Sequence, residues 1–528
     1  MKMMKSAWAA VGASLLVAAC GGGGNGPAGT QNANPGRGEL MQSPPPRITS
    51  LTATDYNTRL AATTDGQKLL ALSTAGTGST TLPCGVDVQY LQYGTVGGKN
   101  EATTASAALM VPTGTDTKCT GARPIVLFAH GTAVERRYNL ADFADSTNPA
   151  YGQAQLLASL FAAQGYIVVA PNYAGYDSST LGYHPFLVAA QQSKDMIDAL
   201  TAAKSALPTL ISAPTASTSL YLTGYSQGGY VAMATHKALQ DAGVPVKASA
   251  PMSGPYALNL YGDAIVSGKV PAGSTSLMPM VITAYQKTYG NIYNSPSDFY
   301  ESKYAAGIEA AFPGKYSYDN LSPSTVPALA LFSSTEPTGF VGAGATPAIS
   351  STGVASVDNS LNALWAAGFD ADNLIKNSVR TLYLADAVTP LTASAPAYPL
   401  RAALKANDLR SWTTPTSPML LCGGGSDPTV YFTPNTTAWA AGVTTGAATV
   451  LDVDASSVNP SQGFEQLRLG FKAALLDVQT KAAAAALAAG GDATAQAKAA
   501  GKATLAYYHS GVAPFCTAAA RGFFKNFP

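Results

Sequence analysis

Residues 224–228 read Gly-Tyr-Ser-Gln-Gly, between a β-leaning run, SLYLT, and a stretch of small residues fit for a helix. A serine between two glycines, where a strand turns into a helix, can be held outward as a nucleophile. With 51 glycines in the chain, chance alone supplies such a pentapeptide about 0.4 times, so its meaning rests on partners. A nucleophilic Ser226 needs a base within hydrogen-bond reach, an acid to orient that base, and donors for an oxyanion. The chain has four histidines. His236 lies ten residues along the helix opened by the serine, about 15 Å down its axis, and reads as a helix-surface residue. His184 precedes Pro185 at an expected helix start, where packing or capping suits it better than proton transfer. His130 ends an upstream strand and fits the oxyanion region. His509 is left as the candidate base, read as part of a loop before the last helix. For the acid, Asp427 follows the strand-like MLLC within GGSDPTV. Ser-Asp-Pro is also a good turn sequence, but the end of a parallel strand is where open α/β sheets place ligands. Asp452 and Asp454 are the fallback acids.

The elements that must position these residues follow from hydropathy. Residues 86–97 and 103–112 alternate apolar and polar side chains, as half-buried antiparallel strands do. The runs RPIVLFAHGT (123–132), YIVVAPNY (166–173), SLYLTGYS (219–226) and VPVKASAPMSG (244–254) are continuously apolar in part, which suits strands buried on both faces. Between them, 152–165, 184–207 and 227–243 have helical spacing. Strand–helix alternation of this kind predicts one α/β core with a mostly parallel, doubly wound sheet. The rhythm breaks from about 259 to 415, resumes with SPMLLCGGGSD (417–427), a helix near 433–441 and GAATVLDVD (446–454), and breaks again over the alanine-rich stretch 456–503. The expected organisation is a core of 48–258 and 416–528 interrupted by a helical lid-type insertion, 259–415.

The chain order Ser226, Asp427, His509 is that of the α/β-hydrolase fold. G-Y-S-Q-G after a strand, FAHGT at the end of an earlier one, SDPTV after a late one and a histidine before the expected last helix resemble that family over nearly the whole mature length. In detail the chain resembles bacterial esterases related to secretory lipases, in which an aspartate commonly stands where this chain has Asn172. The resemblance implies that Ser226 attacks an ester carbonyl, His509 relays its proton, and Asp427 fixes the imidazole. The backbone N–H groups of Gln227 and Thr132 would meet the oxyanion, while Gly224 and Gly228 leave the tight turn free of Cβ atoms. An exported serine peptidase on the same fold and a catalytically inert binding protein are the alternative readings.

Composition narrows the field further. Charged residues make up 12 % of the chain, and 31 Lys+Arg nearly balance 30 Asp+Glu, so the basic face that nucleic-acid binding needs is not expected. Lys2 and Lys5 precede the apolar stretch 7–19, too short to span a bilayer, which reads as a signal segment over 1–19. It ends LLVAAC, resembling the lipobox of bacterial lipoproteins, which implies cleavage before Cys20 and lipid attachment to its sulfur. Glycine-rich residues 20–47 read as a flexible tether. The expected localisation is therefore an exported, membrane-anchored lipoprotein.

The four remaining cysteines, Cys84, Cys119, Cys422 and Cys516, suit two disulfides with three possible connectivities. Beside the family resemblance, a Cys422–Cys516 bridge would tie the segments carrying acid and base, leaving Cys84 to pair with Cys119. No metal-binding spacing is present, and VGAGATP (341–347) fits neither nucleotide-binding pattern, so no metal and no cofactor is expected. In the insertion, Tyr285, Tyr289, Tyr293, Phe299, Tyr300, Tyr304, Phe312, Tyr316 and Tyr318 could line an apolar acyl pocket or form the lid's packing core.

Overall fold

The computed structural model describes residues 30–315, 317, 322–335, 355–455 and 464–528. The signal segment, Cys20, Tyr316, Tyr318 and 341–347 lie outside the described residues. Among the described residues nine strands form the central sheet: β1 (Arg47–Leu51), β2 (Gly85–Val96), β3 (Ala102–Thr113), β4 (Ala122–Ala129), β5 (Ile167–Pro171), β6 (Thr215–Tyr225), β7 (Ala248–Met252), β8 (Met419–Gly423) and β9 (Ala448–Asp452). Their order is β9-β8-β7-β6-β4-β5-β3-β2-β1. All neighbours from β9 to β5 run parallel, and the β5–β3, β3–β2 and β2–β1 pairs are antiparallel. The parallel strands are those with uninterrupted apolar runs: IVVAP, ASAPM and MLLCG are buried at every position. Helices on both faces supply that cover.

Chain direction across the sheet reverses between β4 and β6. The chain moves from β4 to β5 on one side, then returns so that β6 pairs with β4 on the other, with Ala129 opposite Gly224. This is a topological switch point, where the C-terminal ends of neighbouring strands leave a crevice. His130–Thr132 leave β4 there and Ser226 leaves β6 there, while Asp427 follows β8, two strands farther along.

Among its described residues, the connection from β7 to β8 is helical, with its longest elements at Leu258–Val266, Ser274–Tyr289, Ala355–Ala367 and Asn377–Val388. Arg401, almost fully buried, ties three of its helices through Asp263 (2.8 Å) and Asp386 (3.2 Å). The aromatic run belongs to the packing of this segment. Tyr285, Tyr293, Phe299, Tyr300, Tyr304 and Phe312 are buried, Tyr289 is exposed, and none of them lines the cavity above Ser226.

Three sequence expectations are corrected. Residues 30–47 do not hang free: Arg37 makes a two-pronged ion pair with Asp198 at 3.0 and 2.9 Å, and the Gly38 N–H bonds to the Gly94 carbonyl. Helices at Ala53–Ala61 and Thr64–Thr74 follow β1. The stretch 456–503 is largely helical where described, with Glu465–Ala488 packed against Ala493–Phe524. His509 lies inside that second, 32-residue helix and not in a loop. Asp492 caps the helix by accepting from the Ala495 N–H at 2.8 Å, and the alanines after it favour the helical state. The disulfides Cys84–Cys119 and Cys422–Cys516 are both formed, the second joining β8 to the helix of His509.

Candidate active site

The turn after β6 forces Ser226 to φ +60°, ψ −124°, which a side chain rarely adopts. Its N–H is held by the Met252 carbonyl at 2.9 Å. The two glycines are required by close approach. A Cβ on Gly228 would stand 1.9 Å from the Ala129 oxygen, and one on Gly224 would stand 2.3 Å from the Gly228 oxygen. The turn can therefore press against β4 only without those side chains.

The Ser226 hydroxyl lies 2.8 Å from His509 Nε2, and His509 Nδ1 lies 2.7 Å from Asp427 Oδ2. Asp427 is buried, while His509 keeps an 18 % exposed side chain facing the cavity. The other oxygen, Asp427 Oδ1, accepts the N–H groups of Thr429 (2.9 Å) and Val430 (3.0 Å). With that oxygen occupied, Oδ2 is aimed at the imidazole. The three candidate residues are thus brought together in one hydrogen-bonded row.

The fallback acids hold the scaffold around this row. Asp452 Oδ1 accepts from the Gly425 N–H at 2.8 Å, and burial raises its carboxyl above the usual range. Asp454 Oδ2 accepts from the Tyr508 hydroxyl (2.7 Å) and from Ser426 Oγ (2.9 Å). The same Tyr508 hydroxyl accepts the Ser426 N–H at 3.0 Å, pinning the acid loop to the histidine's helix. Tyr225 adds a second tie, its hydroxyl donating to the His509 carbonyl. Neither tyrosine stands out in the sequence as a site residue. Tyr225 lies inside the G-x-S-x-G motif, and Tyr508 next to the candidate base, so adjacency is the available signal.

Gln227 and Thr132, whose N–H groups the family resemblance assigns to the oxyanion, line a cavity of about 1450 Å³ together with Ser226 and His509. Neither N–H is used by a backbone carbonyl among the described residues. Leu258, Ile265, Met278, Val281 and Leu404 make the cavity wall apolar. Asn172 takes a structural place. Its Oδ1 accepts from the Leu140 N–H (2.8 Å) and its Nδ2 donates to Ser106 Oγ (2.9 Å), away from the triad.

Three histidines are buried. His236, expected on a helix surface, is covered by Trp412 and bonded to Ser249 at 2.9 Å. Burial pushes His130 and His236 down to about 4 and His184 to about 3. Each folded value is depressed below the ordinary imidazole value of about 6.5. Stability from these groups is full above that value and is lost as pH falls toward 4, because the unfolded chain takes up protons that the folded one refuses. Burial raises Asp195 to about 7, so the folded chain holds one extra proton in the same window, which partly offsets the effect. Unfolding free energy is expected to fall by about 2 kcal/mol per pH unit near pH 5. Urea unfolding at pH 7, 6 and 5 measures it, and a flat profile would show that the rings are not held neutral.

Among the described residues no cluster of three or more His, Cys, Asp or Glu could hold a metal ion, and no helix is long and apolar enough to cross a membrane.

A mostly parallel sheet flanked by helices, with the serine turn at its switch point, defines an esterase-like α/β-hydrolase fold. Among solved structures the chain is similar to the rice cell wall degrading esterase LipA of Xanthomonas oryzae. The two share 27 % identity over 79 % of this chain and 91 % of that one, with a TM-score of 0.59. It is also similar in fold to a protein described as a hydrolase from Legionella pneumophila, at 17 % identity, 91 % and 96 % coverage and a TM-score of 0.59. No protein-family model and no curated protein matches the sequence.

Proposed function

We propose that the chain is a serine hydrolase of carboxylic esters working through an acyl-enzyme on Ser226. The supporting observation is the row Ser226 Oγ–His509–Asp427, with contacts of 2.8 and 2.7 Å. Ser226 Oγ bonds to the ester carbon as its proton passes to His509 Nε2, and Asp427 stabilises the imidazolium. The carbonyl oxygen, now anionic, is met by the N–H groups of Gln227 and Thr132; the helix dipole at Gln227 adds to the first. Collapse of the intermediate breaks the carbon–alkoxy bond, and His509 returns the proton to the leaving alcohol. Water then repeats the sequence to free the acid and restore Ser226.

The apolar walls of the cavity suit apolar or aromatic acyl groups, polyesters included. The esterase LipA supports the same bond type. Lipidation at Cys20, with anchoring to the membrane facing the periplasm or the cell exterior, belongs to this reading on the strength of the LLVAAC pattern. Mass measurement of the mature N-terminus tests that part.

The reaction is tested by labelling with a fluorophosphonate followed by peptide mapping, alongside turnover of nitrophenyl esters and aminoacyl anilides. Labelling at Ser226 with ester turnover alone is the expected result. Labelling elsewhere, anilide turnover without ester turnover, or silence in every assay would overturn the proposal.

A further inference from the structure

Two buried histidines stand directly behind the two oxyanion donors, and a role for them there rests on the proposed chemistry of Ser226, Gln227 and Thr132. His130 is fully buried. Its Nδ1 lies 2.6 Å from the Gly131 oxygen and its Nε2 3.1 Å from the Asn172 oxygen. A neutral ring has one N–H to give, and the shorter contact takes it. The Gly131–Thr132 peptide is trans, so its C=O and N–H point in opposite directions. A donor that pins the Gly131 oxygen therefore aims the Thr132 N–H the other way. The ring itself cannot swing, because Tyr138 and Tyr173 stack on its two sides at 4.5 and 4.1 Å. The preceding carbonyl, His130 O, is also taken by the Tyr173 hydroxyl (3.0 Å), and farther along Ala133 O is taken by the Tyr176 hydroxyl (2.6 Å).

His184 serves the other donor. Its Nδ1 lies 2.9 Å from the Ala174 oxygen and must carry the proton there, which leaves Nε2 as an acceptor. The Gln227 side-chain amide donates to that Nε2 at 2.6 Å, with the Gln192 amide farther off at 3.4 Å. Behind Ala174, its N–H donates to Asp195 Oδ2 at 2.6 Å, and the Tyr93 hydroxyl donates to Oδ1 at 2.8 Å. The series from Gln227 thus ends at the Ala174 carbonyl, and the N–H of the adjacent peptide, that of Ala174, is held separately by a buried carboxyl group. The Gln227 amide oxygen is buried without a partner, so the bond to His184 is what fixes that side chain, while the Ser226 carbonyl of the peptide carrying the Gln227 N–H accepts from the Gly229 (2.9 Å) and Tyr230 (3.3 Å) N–H groups.

We propose that His130 and His184 are positioning residues, one for each oxyanion donor: His130 orients the Thr132 N–H through the Gly131 carbonyl, and His184 locks Gln227.

Asparagine and glutamine separate this role from mere packing. An asparagine amide nitrogen reproduces Nδ1, and a glutamine amide reaches the place of Nε2. Position 130 needs its Nδ1 donor, so His130→Asn keeps the contact and His130→Gln loses it. Position 184 needs its Nε2 acceptor, so the preference reverses. His130→Gln and His184→Asn are expected to lower ester kcat about 10- to 100-fold with KM nearly unchanged, because the oxyanion exists only past the ground state. His130→Asn and His184→Gln are expected to stay within a few fold of the parent. Thermal melting of all four variants is the control. Equal losses for Asn and Gln at one position, losses carried by KM, or losses that follow the melting temperature would overturn the proposal. If the histidine variants fail to fold, Gln227→Met removes the His184 bond and leaves the backbone donor in place; an unchanged kcat there would also overturn it. Ester turnover retained in Ser226→Ala would instead defeat the underlying reading, whereas its loss together with an absent crossed pattern defeats the positioning role alone.

Discussion

Replacing Ser226 with alanine is expected to cut ester kcat by about 10⁵- to 10⁶-fold. The substitution removes one oxygen and little else. The backbone bond from residue 226 to the Met252 carbonyl remains, and alanine at φ +60° is no more strained than serine. Thermal stability should therefore hold, which separates lost chemistry from lost structure. The residual rate would come from the two backbone donors acting on a bound ester attacked by water. Steady-state kinetics on a nitrophenyl ester, with a melting curve on the same sample, makes the measurement. A variant that keeps more than a tenth of the parent rate would remove Ser226 from the chemistry.

What the sequence makes legible divides along a physical line. Parallel strands buried on both faces announce themselves as short apolar runs, so β4 to β9 fall close to where hydropathy places them. Because such sheets gather their ligands at strand C-termini, the region of Ser226 and Asp427 follows from the strands alone. The context of His509 does not. Gly511 and Pro514 argue locally for a break, yet the helix Ala493–Phe524 runs through both. The partner helix Glu465–Ala488, whose Phe471 packs on Tyr508 and Phe515, and the Cys422–Cys516 bridge override that local preference. His236 departs from its expected surface position for a related reason, since its cover, Trp412, arrives from a distant part of the chain. The roles of His130 and His184 stay hidden because they depend on which ring nitrogen meets which carbonyl. No spacing in a sequence encodes that.

Asp427→Asn is expected to lower kcat by about 10⁴-fold, the cost of holding a triad histidine in the wrong tautomer. The reason lies in the two backbone donors on the far side of the carboxylate. The N–H groups of Thr429 and Val430 both point at Oδ1, so an asparagine must leave its carbonyl oxygen there. Its NH₂ group then occupies the place of Oδ2, 2.7 Å from His509 Nδ1, where two donors cannot face each other. The imidazole must move its proton from Nδ1 to Nε2, and an Nε2–H facing the Ser226 hydroxyl cannot accept that hydroxyl's proton. The fallback acids offer no rescue, because Asp452 and Asp454 are committed to Gly425, Ser426 and Tyr508. Fluorophosphonate labelling of Ser226 should slow in the same proportion as turnover, since both need the serine deprotonated. A loss below about tenfold in both would mean that Asp427 orients nothing, and that His509 finds its tautomer by other contacts.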